Sequence, residues 1–411
     1  MKNFLKSVVV FGLMLGLSSG LYSNGLNLNG NGSKAIGMGG AFVGLADDFS
    51  AVFWNPAGLT QMTEPSLGLF VTDIIPSGGY EFDLLGIDAT PESKNYFSGA
   101  LGFFKPLSEK VVVGIYGYVP SALGVTWDGS ELAVLSDGIA YEWETLVAIV
   151  TVSPTIAVKV TDKLSLGASL NLIYGLSKLS RPGLGQYEED LNGTAFGATL
   201  GMLFKPTDKF SIGLTFKAPM KAKLSGDATM AGAPLLGLPG TDDAEREVTW
   251  PMWIGAGIAF KPNDKLTFTA DVQYTNWEKM DNLPITYSNA GWILFFEDAS
   301  RLELQWEDTV QLRFGVEYKV SDSFALRGGF YTDPTPSPKA TQTILLPEIS
   351  YNFVTFGFGY STAKINVDVA VEYGIGKDVE VGLTEVLAGV GMPGIHSMNF
   401  LVPNISFTFK F

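Results

Sequence analysis

A chain of 411 residues with no cysteine, 48 glycines, 28 phenylalanines, 15 tyrosines and a formal net charge of −15 leaves few classes open. Without cysteine there is no disulfide and no thiolate metal site. The acidic balance argues against nucleic acid as a partner, since that affinity rests on cationic groups that neutralise phosphates. Glycine and aromatic residues at this level favour turns and strands over helices.

Lys2 and Lys6 precede an apolar run from Val8 to Leu17, followed by the small residues Ser18, Ser19, Gly20 and Ser23. This is the layout of a signal peptide over residues 1–23, with cleavage after Ser23 favoured over Gly20, and the run is too short to span a bilayer as a helix. Its removal leaves 25 basic against 42 acidic residues, a charge of −17. No later stretch is long and uncharged enough for a helical membrane stop, so the exported chain is either a soluble protein or a barrel.

Residues 24–62 lack strand alternation and are rich in glycine, asparagine and small side chains, ending in Asn55-Pro56-Ala57-Gly58-Leu59. Gly37-Met38-Gly39-Gly40 is not a dinucleotide fingerprint, because no strand precedes it and the third glycine is misplaced. Asn55-Pro56-Ala57 suits a fixed turn, through proline geometry and an asparagine side chain that bonds nearby backbone.

From residue 63 onward, turn motifs such as Phe204-Lys205-Pro206-Thr207-Asp208-Lys209 and Phe260-Lys261-Pro262-Asn263-Asp264-Lys265 recur between alternating segments. They predict fourteen strands near 64–75, 93–105, 109–127, 143–160, 164–181, 190–205, 209–225, 247–260, 265–279, 306–320, 323–333, 350–361, 363–378 and 399–411. An even count, with short turns at one end and long loops at the other, is the layout of an outer-membrane barrel with its short turns in the periplasm. Val310, Leu312, Phe314, Val316, Tyr318 and Val320 oppose Gln311, Arg313, Gly315, Glu317 and Lys319. That alternation fits a soluble sandwich as well as a barrel. Two features favour the barrel: Trp127, Trp143, Trp250, Trp277 and Trp306 fall at the strand ends opposite the short turns, where an aromatic girdle is expected, and the last strand, Asn404 to Phe411, alternates without a break and ends on Phe411. The fold class expected is therefore all-β, a fourteen-stranded antiparallel transmembrane barrel over 63–411. Fourteen strands enclose a lumen too wide for their own side chains to fill, so residues 24–62 are expected inside it as a plug unless the barrel is an open porin.

The segment from Ser33 to Leu59, closing in Asn-Pro-Ala-Gly-Leu and followed by fourteen strands and a terminal phenylalanine, resembles the FadL-type family of outer-membrane long-chain fatty acid and hydrocarbon transporters. The resemblance implies an amino-terminal hatch whose motif is Asn55, Pro56, Ala57, Gly58 and Leu59, a third strand kinked inward, and apolar substrates that leave sideways into the membrane. It implies passive uptake, with long-chain fatty acids as lead substrates and aromatic or aliphatic hydrocarbons as the alternative. A surface adhesin or structural barrel is the reading from another class.

Pro120 in the third strand marks a break, because proline cannot donate to the ladder and a closed barrel has no edge to hold it. Two meanings stand: a lateral gate over Gly117, Pro120 and Gly124, or a bulge that only adjusts curvature. Pro154 is expected at a comparable depth in the next strand. The loop carrying Met230, Leu235, Leu236 and Leu238 is an apolar surface suited to outer capture. A fatty acid carboxylate needs a cation, for which Arg181 and Lys339 are the candidates. Glu188-Glu189-Asp190 reads as a solvated acidic loop, and His396, with no nucleophile at a recognisable spacing, as a solvated loop residue. Neither catalysis, cofactor nor metal is expected. The partners expected are hydrophobic small molecules, outer-membrane lipid and lipopolysaccharide, and the barrel-assembly machinery through Phe411, with the barrel a monomer.

Overall fold

The computed structural model describes residues 25–387 and 390–411, so the signal-peptide reading of residues 1–23 lies outside the described residues. Among those described, fourteen antiparallel strands close into one barrel. They are β1 (Ser66–Phe82), β2 (Tyr96–Pro106), β3 (Val111–Trp127), β4 (Trp143–Lys159), β5 (Leu164–Gly183), β6 (Gly185–Thr207) and β7 (Phe210–Lys217 and Met220–Met230). Then follow β8 (Thr241–Trp250 and Trp253–Asn263), β9 (Leu266–Thr275), β10 (Thr309–Lys319), β11 (Phe324–Asp333), β12 (Tyr351–Ser361), β13 (Ile365–Gly376) and β14 (Gly394–Lys410). Closure is made by β1, which pairs Ser66 with Phe104 of β2 and with Lys410 of β14.

The side-chain distribution separates barrel from sandwich. On β10, Val310, Leu312 and Phe314 are 49%, 44% and 51% exposed, while Gln311 and Arg313 on the opposite face are each 1% exposed. The same inversion holds on β9, with Phe268 and Val272 outward and Asp271 and Gln273 buried, and on β13, with Val371 and Tyr373 outward and Glu372 buried. A soluble sandwich would bury the apolar faces; a membrane barrel turns them to lipid and keeps its polar faces for the lumen. On β14, Asn404, Ser406 and Thr408 are buried inside while Phe411 is exposed.

Several expectations are corrected. Trp127, Trp250, Trp277 and Trp306 are not a lipid-facing girdle: all four are buried in the apolar core of the outer half of the lumen. Strand parity explains this, since Trp250 shares the inward face of β8 with Arg246 and Val248. Glu188-Glu189-Asp190 lies in β6 rather than a loop, and parity buries Glu189. His396 lies in β14, is 2% exposed, and packs on the Tyr80 ring with centroids 4.9 Å apart. Pro154 pairs opposite Ile115, whereas Pro120 lies between Tyr118↔Thr151 and Ser121↔Ile149, so the two prolines are at different depths.

Candidate functional site

Residues 25–62 lie within the ring of strands. Helix α1 (Ser33–Gly37) touches β11, β12, β13 and β14, and the 3-10 turn Pro56–Gln61 touches β4, β5 and β6 across the lumen. Helix α2 (Ala51–Trp54) leads into that turn, and Asn55 caps it: Oδ1 accepts from Ala57 N at 3.2 Å while Pro56 occupies the first position, where no donor is needed. Asn55 Nδ2 donates to Val43 O within the segment and to Met202 O on β6, both at 2.9 Å. The approach is so close that a Cβ at Gly201 would lie 2.3 Å from Asn55 Oδ1. The wall also anchors the segment through Asp271 of β9, whose Oδ2 accepts from Phe42 N and Val43 N at 2.8 Å each. Lys34 pairs with Asp47 at 2.7 Å. Burial pushes the neighbouring Asp48 carboxyl up to about 6, against the opposing pull of Lys34 and the Ser50 hydrogen bond.

Two cavities lie above the plug. The inner one, about 700 Å³ of empty space, is lined by Leu28 and Asn29, by Phe53 and Trp54 of the plug, and by wall residues including Tyr118, Pro120, Lys217 and Trp253. Lys217 is the chemically distinctive group here. Its Nζ lies 3.8 Å from the Phe53 ring centroid and 4.5 Å from that of Trp253, and among the described residues it has no hydrogen bond or ion pair. The outer cavity, about 980 Å³, is lined mainly by Leu, Val and Trp side chains with Arg181, Glu189 and Arg246 among them. Glu189 and Arg246 satisfy each other at 2.8 Å with almost no exposure, so that guanidinium is not free for a ligand.

At Pro120 the ladder of the wall is interrupted. Pairing between β2 and β3 ends at Ala100↔Tyr118, although β2 runs on to Tyr96, and the β3–β4 register shifts between Tyr118 and Ser121. Beyond the bulge every residue from Ser121 to Trp127 is buried, while the strand stays paired with β4 as far as Trp127↔Trp143. Here β3 is held by the segment that leads into the plug: Leu28 N donates to Pro120 O at 3.0 Å and Ser121 Oγ to Asn27 Oδ1 at 2.9 Å.

The barrel fold is matched by solved structures. The FadL homologue of Pseudomonas aeruginosa superposes with a TM-score of 0.79 at 20% identity, covering 94% of this chain and all of that one. The toluene transporter TbuX of Ralstonia pickettii gives 0.73 at 19% identity, covering 94% of this chain and 99% of that one. Among curated proteins, the long-chain fatty acid transport protein of Salmonella typhi is 23% identical, covering 92% of this chain and 93% of that protein. Outer membrane protein P1 of Haemophilus influenzae is 22% identical over 84% of each chain. The family model described as outer membrane protein transport protein (OMPP1/FadL/TodX) matches residues 15–411. The chain belongs to the OMPP1/FadL/TodX family. It is an outer-membrane transport protein of that family.

Within this family member, the residues singled out from the sequence fall in different places. Asn55, Pro56, Ala57, Gly58 and Leu59 are all buried at the floor of the lumen. Pro120 lies within the β3 bulge, Gly117 precedes it, and Gly124 lies in the buried stretch beyond it. Met230 is buried in the core and Leu238 packs against it, whereas Leu235 and Leu236 are exposed on the loop. Arg181 lines the outer cavity, its guanidinium carbon 5.4 Å from the Tyr187 ring centroid and its Nη2 donating to Ala299 O at 2.5 Å. Lys339 is in an exposed ion pair with Glu385 at 3.3 Å and lines neither cavity. Lys217, which the sequence reading passed over, was marked by parity alone: it shares the inward face of β7 with Ser211 and Thr215.

Proposed function

We propose that the protein takes up amphipathic hydrophobic molecules passively across the outer membrane, long-chain fatty acids foremost, with Lys217 receiving the carboxylate in the inner cavity. The observation that carries this reading is the unpaired Lys217 ammonium between Phe53 and Trp253 on the cavity wall. Aromatic faces compensate a desolvated cation only in part. An incoming carboxylate completes the pair while its chain fills the apolar remainder. Lys217→Met is expected to weaken binding of oleate to the purified barrel by about tenfold or more, equivalent to about 1.4 kcal/mol. Binding of a neutral alkane of equal length should change little. Equal loss for both ligands overturns the carboxylate assignment and favours the hydrocarbon alternative, for which the names of the toluene-transporter neighbours speak.

In this reading Leu235 and Leu236 capture substrate at the surface, the outer cavity with Arg181 receives it, and residues 24–62 act as a hatch that diverts it sideways. The interrupted ladder at Pro120 supports release through the wall between β2 and β3. Pro120→Val, which restores a ladder donor, should reduce uptake at least tenfold with the barrel still showing its heat-dependent gel shift; unchanged uptake would leave Pro120 as a curvature device. The reading involves no covalent step. It has the barrel working as a monomer among lipid and lipopolysaccharide, with the exposed Phe411 serving the assembly machinery. Restored growth of a deletion strain on oleate separates transport from an adhesin role.

A further inference from the structure

The wall is interrupted at a second place, away from the third strand. Strand β7 pairs with β6 from Thr207↔Phe210 up to Thr199↔Lys217, and again from Asn192↔Ser225 onward. Between these points the register shifts by one residue, and Ala218 N donates to Ala198 O at 2.9 Å. Residues 193–197 of β6 thus have no register partner on β7, over roughly 17 Å at about 3.4 Å per residue, with the Lys223 carbonyl still lying against Gly193. On its other side β7 pairs with β8 at Lys217↔Trp253 and Met220↔Trp250, and that register sets Pro219 directly opposite Pro251. Neither proline has a donor, so at Ala218-Pro219 the strand loses its regular ladder to both neighbours at once.

Unpaired backbone at membrane depth is tolerated where it is buried in protein or lines a cavity, and this seam has a cavity behind it. Its lumen side is closed by two flexible side chains laid over glycines. Met220 lies against Gly197, where a Cβ would be 2.4 Å from Sδ, and Leu224 lies against Gly193 and Gly175, 3.2 and 3.4 Å from the corresponding Cβ positions. Met220 lines the inner cavity and Leu224 the outer one. On the lipid side Phe196 is 71% exposed and Pro219 is exposed. The seam lies at the register level of the β3 bulge, as the pairings Tyr118↔Thr151, Thr151↔Ile173 and Ile173↔Ala195 trace across the intervening strands.

We propose that β6 and β7 form a second lateral window, hinged at Ala218-Pro219 and shut by Met220 and Leu224, through which a single acyl chain passes between the cavities and the outer leaflet. The inference rests on the uptake reading above. A ligand whose carboxylate sits at Lys217 has its chain beside Met220, three residues along the same strand, so either window is within reach of it.

Because the chain has no cysteine, a Gly197→Cys/Met220→Cys pair can form only one disulfide. In proteoliposomes, transfer of a cavity-bound fluorescent fatty acid into brominated lipid is followed by quenching, with the variant oxidised and then reduced, and with equilibrium binding measured in both states. Oxidation is expected to slow transfer at least threefold at equal binding, and reductant to restore it. Met220→Ala, which removes one of the closing side chains, should speed transfer per bound ligand at least twofold, and decides the matter if the paired variant fails to assemble. Transfer unaffected by oxidation, or by Met220→Ala where only that variant assembles, overturns the window while leaving the uptake reading intact. Failure of the unsubstituted barrel to bind the fatty acid at all overturns the uptake reading instead.

Discussion

Replacing Arg246 with methionine should cost the barrel about 3–5 kcal/mol, the range for stranding one member of a buried ion pair. Arg246 reaches from β8 over the intervening strand β7 to Glu189 on β6, with Nε to Oε1 at 3.2 Å and Nη2 to Oε2 at 2.8 Å. The same guanidinium donates to Leu283 O and, at 3.3 Å, to Ser300 O, at either end of the loop that carries helix α3 (Ala290–Ser300). Glu189 also accepts from Tyr187 OH at 2.8 Å, and Tyr187 is joined to Tyr287 OH at 3.0 Å. One substitution therefore leaves a buried carboxylate without its counter-charge and two carbonyls without a donor. The midpoint of the heat-dependent gel shift should fall markedly, and the 276–308 loop should become the first site of proteolysis. Arg246→Met combined with Glu189→Gln should recover most of the loss, because no charge is then stranded. By contrast Lys339→Ala, which breaks an exposed pair with Glu385, should shift the midpoint by an amount equivalent to no more than about 1 kcal/mol. Equal effects for Arg246→Met and Lys339→Ala would show that the lumen pair is solvated in the working protein.

The strands and their number were legible because a barrel wall has one rule, alternation, and the chain obeys it from Ser66 to Lys410. The interior was not legible in the same way. Whether a tryptophan at a strand end faces lipid or lumen depends on parity relative to the rest of its strand. Trp250 could have been assigned from its spacing to Arg246, since the two share a face at an even interval. His396 was hidden for another reason: β14 begins at Gly394, five residues before the predicted 399, and the added residues pair with β1 through Tyr80↔His396. The turn was legible in Asn55-Pro56-Ala57, yet its partners were not. Val43 O and Met202 O are main-chain groups, which carry no residue signature, and Met202 is 147 positions away. Lys217 was missed because a lone lysine in a strand reads as solvent-facing. Its place between Phe53 and Trp253 exists only once the plug is folded into the barrel.

Asn55→Ala should unseat that plug. The side chain is fully buried and uses three bonds to join three pieces of chain: its own turn through Ala57 N, the preceding loop through Val43 O, and the wall through Met202 O. Alanine can make none of them. Each buried partner left unmade costs about 1–3 kcal/mol, and with partial relaxation a total of about 2–4 kcal/mol is expected for the three together. The wall keeps its own ladder, so the barrel should still assemble and retain its gel shift. What should change is the lumen: in a planar bilayer the unsubstituted barrel is expected to pass little ionic current, and the Asn55→Ala barrel to show frequent openings and faster cleavage of residues 25–62 by added protease. The remaining anchors, Asp271 on the amides of Phe42 and Val43 and Thr355 Oγ1 on Gly39 N, would hold the rest of the segment, so the openings should be transient. A second substitution, Asp271→Ala, should convert them to a sustained conductance, because it releases the segment from β9 as well as from β6. If neither variant conducts above the unsubstituted protein, Asn55 is a local cap of the Pro56–Gln61 turn and the seal resides in the apolar packing of Phe42, Phe49 and Trp54.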